Sequence, residues 1–167
     1  MKKGAFLTTL LRSNRTIFST LDIAMLWQEE SSSKTRVRLH YYVKQGSLIQ
    51  LRRGLYAKNT EYNKFELATK IFTPSYLSFE TILAREGIIF QYSTDITVAS
   101  YLSRGATVGD QNYLYKKMKD SVLMNPAGII QEEYASIATK ERAVLDTLYS
   151  NREYHFDNTR SLDWNEL

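Results

Sequence analysis

The stretch Ser31-Ser32-Ser33-Lys34-Thr35-Arg36-Val37-Arg38-Leu39-His40-Tyr41-Tyr42-Val43-Lys44-Gln45-Gly46-Ser47-Leu48-Ile49-Gln50-Leu51-Arg52-Arg53-Gly54-Leu55-Tyr56-Ala57 decides the reading of the chain. The serines offer an N-cap, because a hydroxyl oxygen can accept one of the orphan N–H groups of a first helical turn. A helix over about Lys34 to Gln45 follows. Gly46 suits the position just after it, where a left-handed backbone costs glycine little. Ser47–Leu51 and Leu55–Ala57 read as strands, and Arg52-Arg53-Gly54 turns one back on the other. Around the helical wheel Leu39, Tyr42 and Val43 gather on one side. Lys34, Val37, Tyr41 and Lys44 lie opposite, with Arg38 on one flank and Arg36 and His40 on the other.

Two further helices precede this stretch. Lys2 to Arg12 places Phe6, Leu7, Leu10 and Leu11 at helical spacing. Leu21 to Glu29, capped by Ser19 or Thr20, carries a stripe of Leu21, Ala24, Met25 and Trp27. Three helices and a hairpin within 60 residues outline a winged helix-turn-helix, whose third helix enters a major groove. On that outline Lys34 and Arg38 donate to guanine edges and the Val37 methyls meet a thymine methyl. Tyr41 and Lys44 meet phosphates, Arg36 flanks them, and Arg52 and Arg53 at the hairpin tip reach the DNA backbone or the minor groove. His40 reads as a surface histidine.

The charge distribution agrees with a polyanion partner. The 167 residues hold 22 Lys and Arg against 18 Asp and Glu, but residues 1–58 alone carry 11 basic groups and three acids, or +8. Residues 59–167 carry 11 basic groups and 15 acids, or −4. Such a split predicts two modules, the first facing nucleic acid and, as the weaker rival, a membrane surface. No run of about 20 apolar residues is present to cross a bilayer. The charged start with its short, threonine-interrupted apolar run reads as a helix and not a signal peptide. With no cysteine, disulfides, thiol catalysis and cysteine-based zinc sites are excluded.

Lys58-Asn59-Thr60-Glu61 loses the basic bias, so the expected domains are 1–60 and 61–167. The second reads as a mixed α+β domain. Helices are expected over Glu61–Phe72, over Phe79–Glu86 with Ser78 as cap, and over Lys140–Tyr149 with Thr139 as cap and Val144, Leu145 and Leu148 apolar. Strands are expected at Ile88–Tyr92, Ile96–Ser100, Asn112–Lys119 and Gly128–Glu132.

No motif assembles an active site. Two histidines 115 positions apart give no metal pair. Neither sits beside a GxSxG elbow. Gly105-Ala106-Thr107-Val108-Gly109 lacks the P-loop lysine and reads as a flexible hairpin loop. Asp110, Glu132, Glu133 and Lys140 form at most a loose acid and lysine set. Lys116, Lys117 and Lys119 make a second polyanion contact or a guarded edge strand.

Three blocks resemble the AbiEi-type antitoxins of type IV toxin–antitoxin systems: Val43–Ala57; Pro74-Ser75-Tyr76-Leu77-Ser78-Phe79-Glu80-Thr81-Ile82-Leu83 with Gly87-Ile88-Ile89; and Ile137-Ala138-Thr139-Lys140-Glu141-Arg142-Ala143-Val144-Leu145-Asp146. The resemblance implies a cytoplasmic protein, and no motif of the sequence calls for a cofactor. Its N-terminal winged helix would repress its own operon by binding double-stranded DNA at the operator. Its C-terminal domain would counter a nucleotidyltransferase-like toxin without a stable complex. The DNA-contact surface that carries over is Lys34, Arg36, Arg38, Arg52 and Arg53. The other class of function open to the sequence is a nucleic-acid enzyme with an acidic site in the second module.

Overall fold

Ser19 sets where the second helix starts. Its hydroxyl accepts from the Asp22 N–H at 3.0 Å while the Asp22 carboxylate accepts from the Ser19 N–H at 2.8 Å. This reciprocal capping box satisfies two otherwise orphaned donors. In the computed structural model, which describes residues 5–166, that helix belongs to the first of two units, Met1–Leu67 and Ala68–Leu167. The described elements make a mixed α+β protein with two sheets.

The first unit runs α1 (Ala5–Arg12), β1 (Ile17–Ser19), α2 (Thr20–Leu26), α3 (Ser32–Lys44), β2 (Ile49–Arg52) and β3 (Leu55–Ala57), and enters α4 (Lys64–Ile71). Its sheet is antiparallel in the order β1-β3-β2. Phe6 and Leu10 of α1, Ile23 of α2, Trp27, and Leu39 and Tyr42 of α3 close the core with Leu48 and Tyr56. The Trp27 indole N–H donates to the Phe6 carbonyl at 2.8 Å, and its ring meets Phe6 and Tyr42 edge to face. That hydrogen bond removes the cost of burying the indole donor. It also turns α2 so that Ile23 and Trp27 point inward. The expected stripe is therefore corrected: Leu21 and Met25 face outward, 68% and 63% exposed.

The boundary between units falls inside α4, seven residues beyond the expected position. Asn63 caps that helix by accepting from the Phe65 and Glu66 N–H groups. The buried Glu66 carboxylate accepts from the Thr16 N–H at 2.9 Å, the Thr16 hydroxyl at 2.7 Å and the Ile17 N–H at 3.2 Å. Those bonds hold the first turn of α4 in the first unit.

The second unit continues with β4 (Ser75–Leu77), α5 (Glu80–Arg85), β5 (Ile96–Ser100), β6 (Arg104–Val108), β7 (Gln111–Lys117), α6 (Asp120–Leu123), β8 (Ile129–Glu132), β9 (Ala135–Ala138) and α7 (Lys140–Ser150). Its mixed sheet has the order β6-β7-β5-β4-β9-β8. Several expectations are corrected. The Gly105–Gly109 loop is instead strand β6 and the start of its turn. Ile88–Tyr92 is not a strand; the Ile88 carbonyl accepts from the Asp157 and Asn158 N–H groups, both at 3.0 Å, so the tail serves it instead of the sheet. Ser78 does not cap α5, because its hydroxyl donates to Asp146 at 2.7 Å. Thr139 does cap α7, accepting from the Arg142 N–H.

The inward side of α7 is the largest surprise. Leu145 is 42% exposed, whereas Glu141, Arg142 and Asp146 are buried. A side chain already in water loses little on truncation, so Leu145→Ala is expected to change unfolding free energy by less than about 0.5 kcal/mol in a urea titration.

Candidate nucleic-acid interface

Helix α3 is positioned by its own sequence. Ser31 accepts from the Lys34 N–H, and Gly46 beyond the C-terminus takes φ +71°, a left-handed value that only glycine adopts at no cost. Leu39 and Tyr42 are buried in the core, which forces the opposite side into solvent. Lys34, Arg36, Val37, His40, Tyr41 and Lys44 are all exposed, Val37 at 70%. Tyr41 stacks edge to face on Tyr42, which steadies it at the surface. The face expected from the helical wheel is thus brought together.

The hairpin of β2 and β3 carries the other two candidates. Arg53 is exposed and Arg52 half-buried. Gly54, at φ +81°, makes the reversal, and its carbonyl accepts from the Thr20 N–H at 3.0 Å, tying the tip to the start of α2. Among the described residues, the side chains of Lys34, Arg36, Lys44 and Arg53 form no ion pair. The unit they belong to holds 12 Lys and Arg against five Asp and Glu, or +7, and the second unit 10 against 13, or −3.

Arg38 stands apart. Its Nη1 donates to Glu29 Oε2 at 2.6 Å, and its guanidinium lies 4.0 Å from the centre of the Phe6 ring. The group is held on the flank of the unit by an ion pair and a cation–π contact. The sequence did not reveal this, since Glu29 lies nine positions away in another segment. The hydrogen bond from Arg38 holds the Glu29 carboxyl below the usual glutamate range, with its charge, the Ser31 N–H and Lys34 adding to the effect against partial desolvation. A depressed pKa in the folded state contributes stability above the ordinary glutamate pKa. That stability is lost as pH falls through the depressed value. Glu29→Gln should therefore release Arg38 at neutral pH. The expected outcome is a several-fold gain in affinity for random duplex and a log–log salt slope steeper by about 0.9, read by fluorescence anisotropy. An unchanged slope would place Arg38 on Phe6 with or without its carboxylate partner.

Of the loose acid and lysine set expected in the second unit, Asp110 and Glu132 lie far apart. Asp110 lies in the β6–β7 turn at one edge of the sheet and Glu132 on β8 at the other. Five strand spacings separate those edges, roughly 24 Å. Glu132 also accepts a two-pronged bond from Arg85 at 3.2 and 2.8 Å. No group of three or more His, Asp and Glu able to hold a metal occurs among the described residues. Lys116 is bonded to both oxygens of Glu80 at 2.7 and 2.8 Å, which leaves Lys117 and Lys119 as the exposed members of that trio. No described helix is long and apolar enough to cross a membrane.

No protein-family model matches the chain, and no curated protein matches it either.

Proposed function

We propose that the chain is a DNA-binding transcriptional repressor and antitoxin whose first unit is a winged helix-turn-helix. The observation that supports this reading is the exposed face of α3, where Lys34, Arg36 and Lys44 flank Val37 and Tyr41 and form no ion pair among the described residues, beside a hairpin ending in Arg53. Unpaired cations on one helix face and an adjacent hairpin match the charge pattern of a duplex groove and its flanking phosphates. In this role Lys34 and Val37 read base edges, while Arg36, Tyr41, Lys44, Arg52 and Arg53 position the backbone. Arg38 is left out of the reading set because Glu29 and Phe6 occupy it.

The second unit, on the resemblance of its sequence blocks to AbiEi-type antitoxins, counters a nucleotidyltransferase-like toxin in the cytoplasm and catalyses no reaction itself. The test of the first part is binding of the full chain to duplex DNA from its own promoter at low salt; no binding there overturns the repressor reading. The test of the second is rescue of cells expressing the nucleotidyltransferase-like protein encoded beside it; no rescue overturns the antitoxin reading and leaves the first part standing.

A further inference from the structure

The two edges of the six-stranded sheet are managed differently. The β8 edge ends in Glu132 and Glu133, and Arg85 reaches Glu132 across it. Charged groups of this kind keep a strand edge from pairing with another chain. The β6 edge has no such guard: Gly105 and Thr107 are exposed and uncharged, and Arg104 sits only at the strand's start. Its pairing with β7 fixes which backbone groups face outward. A two-residue turn, Gly109-Asp110 with Gly109 at φ +59°, joins Val108 to Gln111 as opposite residues. Residues flanking such a turn exchange both hydrogen bonds, and the pattern then alternates along the strand. Ala106 and Arg104 therefore bond to β7, and the N–H and C=O groups of Gly105 and Thr107 point to the open edge.

We propose that β6 pairs with β6 of a second copy of this chain, antiparallel across a two-fold axis at Ala106. The sequence is self-complementary in that register. Gly105 stands opposite the partner's Thr107, and the two such pairs satisfy all four outward N–H groups. The two copies of Ala106 then form a close, non-hydrogen-bonded pair, where Cα atoms approach to about 4.5 Å and small side chains fit. Arg104 faces the partner's Val108, so no like charges meet. Gly105 leaves the partner's Thr107 room on the outer face, where a Cβ at Gly105 would meet only Leu114 at 4.0 Å. A second copy is preferred over a foreign strand because a two-fold axis reproduces every pairing twice from one five-residue sequence.

Equilibrium sedimentation of the full chain tests this. The expected result is a concentration-dependent rise from 19.4 kDa towards twice that mass. Thr107→Pro should abolish the rise, because it removes an outward N–H and leaves the bonds to β7 intact. The chain contains no cysteine, so Ala106→Cys gives a second, independent readout. Diamide should link that variant into a covalent dimer, the two thiols giving up their hydrogens to the oxidant. Thr107→Cys should link far less, since its two copies sit on a diagonal about 7–8 Å apart. A wild-type chain that stays at monomer mass up to its solubility limit overturns the proposal. So does a dimer that survives Thr107→Pro, or equal cross-linking of the two cysteine variants. If Thr107→Pro does not fold, the cross-linking pair decides alone.

Discussion

Replacing Arg142 by methionine is expected to lower the stability of the second unit by about 3–5 kcal/mol, the usual cost of removing one partner from a buried charge pair. The Arg142 side chain is 5% exposed and Asp146 1%. All five donors of the guanidinium are used. Nε donates to Asp146 at 3.0 Å, Nη1 to the carbonyls of Asn125 and Ala127 at 3.1 and 2.6 Å, and Nη2 to the Tyr76 hydroxyl and the Val122 carbonyl at 2.8 and 2.7 Å. The second oxygen of Asp146 accepts from Ser78. One side chain thus ties α7 to β4 and to the whole turn between α6 and β8. Burial, reinforced by the charge of Asp146, pushes the Tyr76 hydroxyl far above its ordinary range, so it remains protonated at any working pH. Burial opposes the Arg142 charge, yet Asp146 and Tyr76 together hold it above the ordinary arginine range.

Methionine fills similar space but leaves Asp146 as a buried charge without its cation and the carbonyls of Asn125 and Ala127 without their arginine donor, while Val122 keeps the Asn125 N–H. Arg142→Lys should recover little, because a compact ammonium cannot serve five acceptors in a plane. The double change Arg142→Met with Asp146→Leu should recover more, since it removes both charges. In a Trp164→Phe background, which leaves Trp27 of the first unit as the one tryptophan, fluorescence and far-UV circular dichroism of the whole chain give separate readouts in urea. Two independent units predict that the dichroism transition moves to lower urea while the Trp27 fluorescence transition holds. A Trp27 transition that moves equally would show that the units unfold together.

The network also explains what was legible in the sequence and what was not. Helix α3 was readable because one rule, apolar residues inward, places Leu39 and Tyr42 correctly and so exposes Lys34, Val37, Tyr41 and Lys44. The same rule misassigns α7. There the buried groups are Arg142 and Asp146, made tolerable by carbonyls and a hydroxyl 15 to 68 positions away. No local pattern records such partners. Strands β4 and β9 escaped for a related reason. They have three and four residues, mostly buried on both faces, and so show no alternation of polar and apolar side chains. Leu21 and Met25 misled because α2 is rotated by a bond to the Phe6 carbonyl, which the sequence does not display. Charge totals were readable, but whether a cation is free was not. Arg38 and Lys116 lie in basic clusters yet are bound to Glu29 and Glu80.

That distinction sets the size of the effect expected on DNA. Lys34, Arg36, Lys44 and Arg53 are the exposed cations of α3 and its hairpin that form no ion pair among the described residues. Lys34 lies in the phosphate field while it reads the bases, so counting all four as charge-neutralising gives about four released counterions and a log–log salt slope near −3.6. Raising salt fourfold, from about 50 to 200 mM, should then weaken duplex binding by about 150-fold. Combining Lys34→Ala, Lys44→Ala and Arg53→Ala should flatten the slope to near −0.9, with a comparable loss of affinity at low salt. The single changes separate reading from positioning. Arg53→Ala should weaken operator and random duplex alike, because a phosphate contact carries no base code. Lys34→Ala should cost about 1–3 kcal/mol more on the operator than on random duplex, because the proposed reading sets the first turn of α3 against base edges. Arg38→Ala should leave the slope near −3.6 and instead lower the stability of the first unit, where its guanidinium covers Phe6. A slope that flattens by about 0.9 in Arg38→Ala would mean that DNA outcompetes Glu29 for the guanidinium. Arg38 would then return to the interface as a fifth contact.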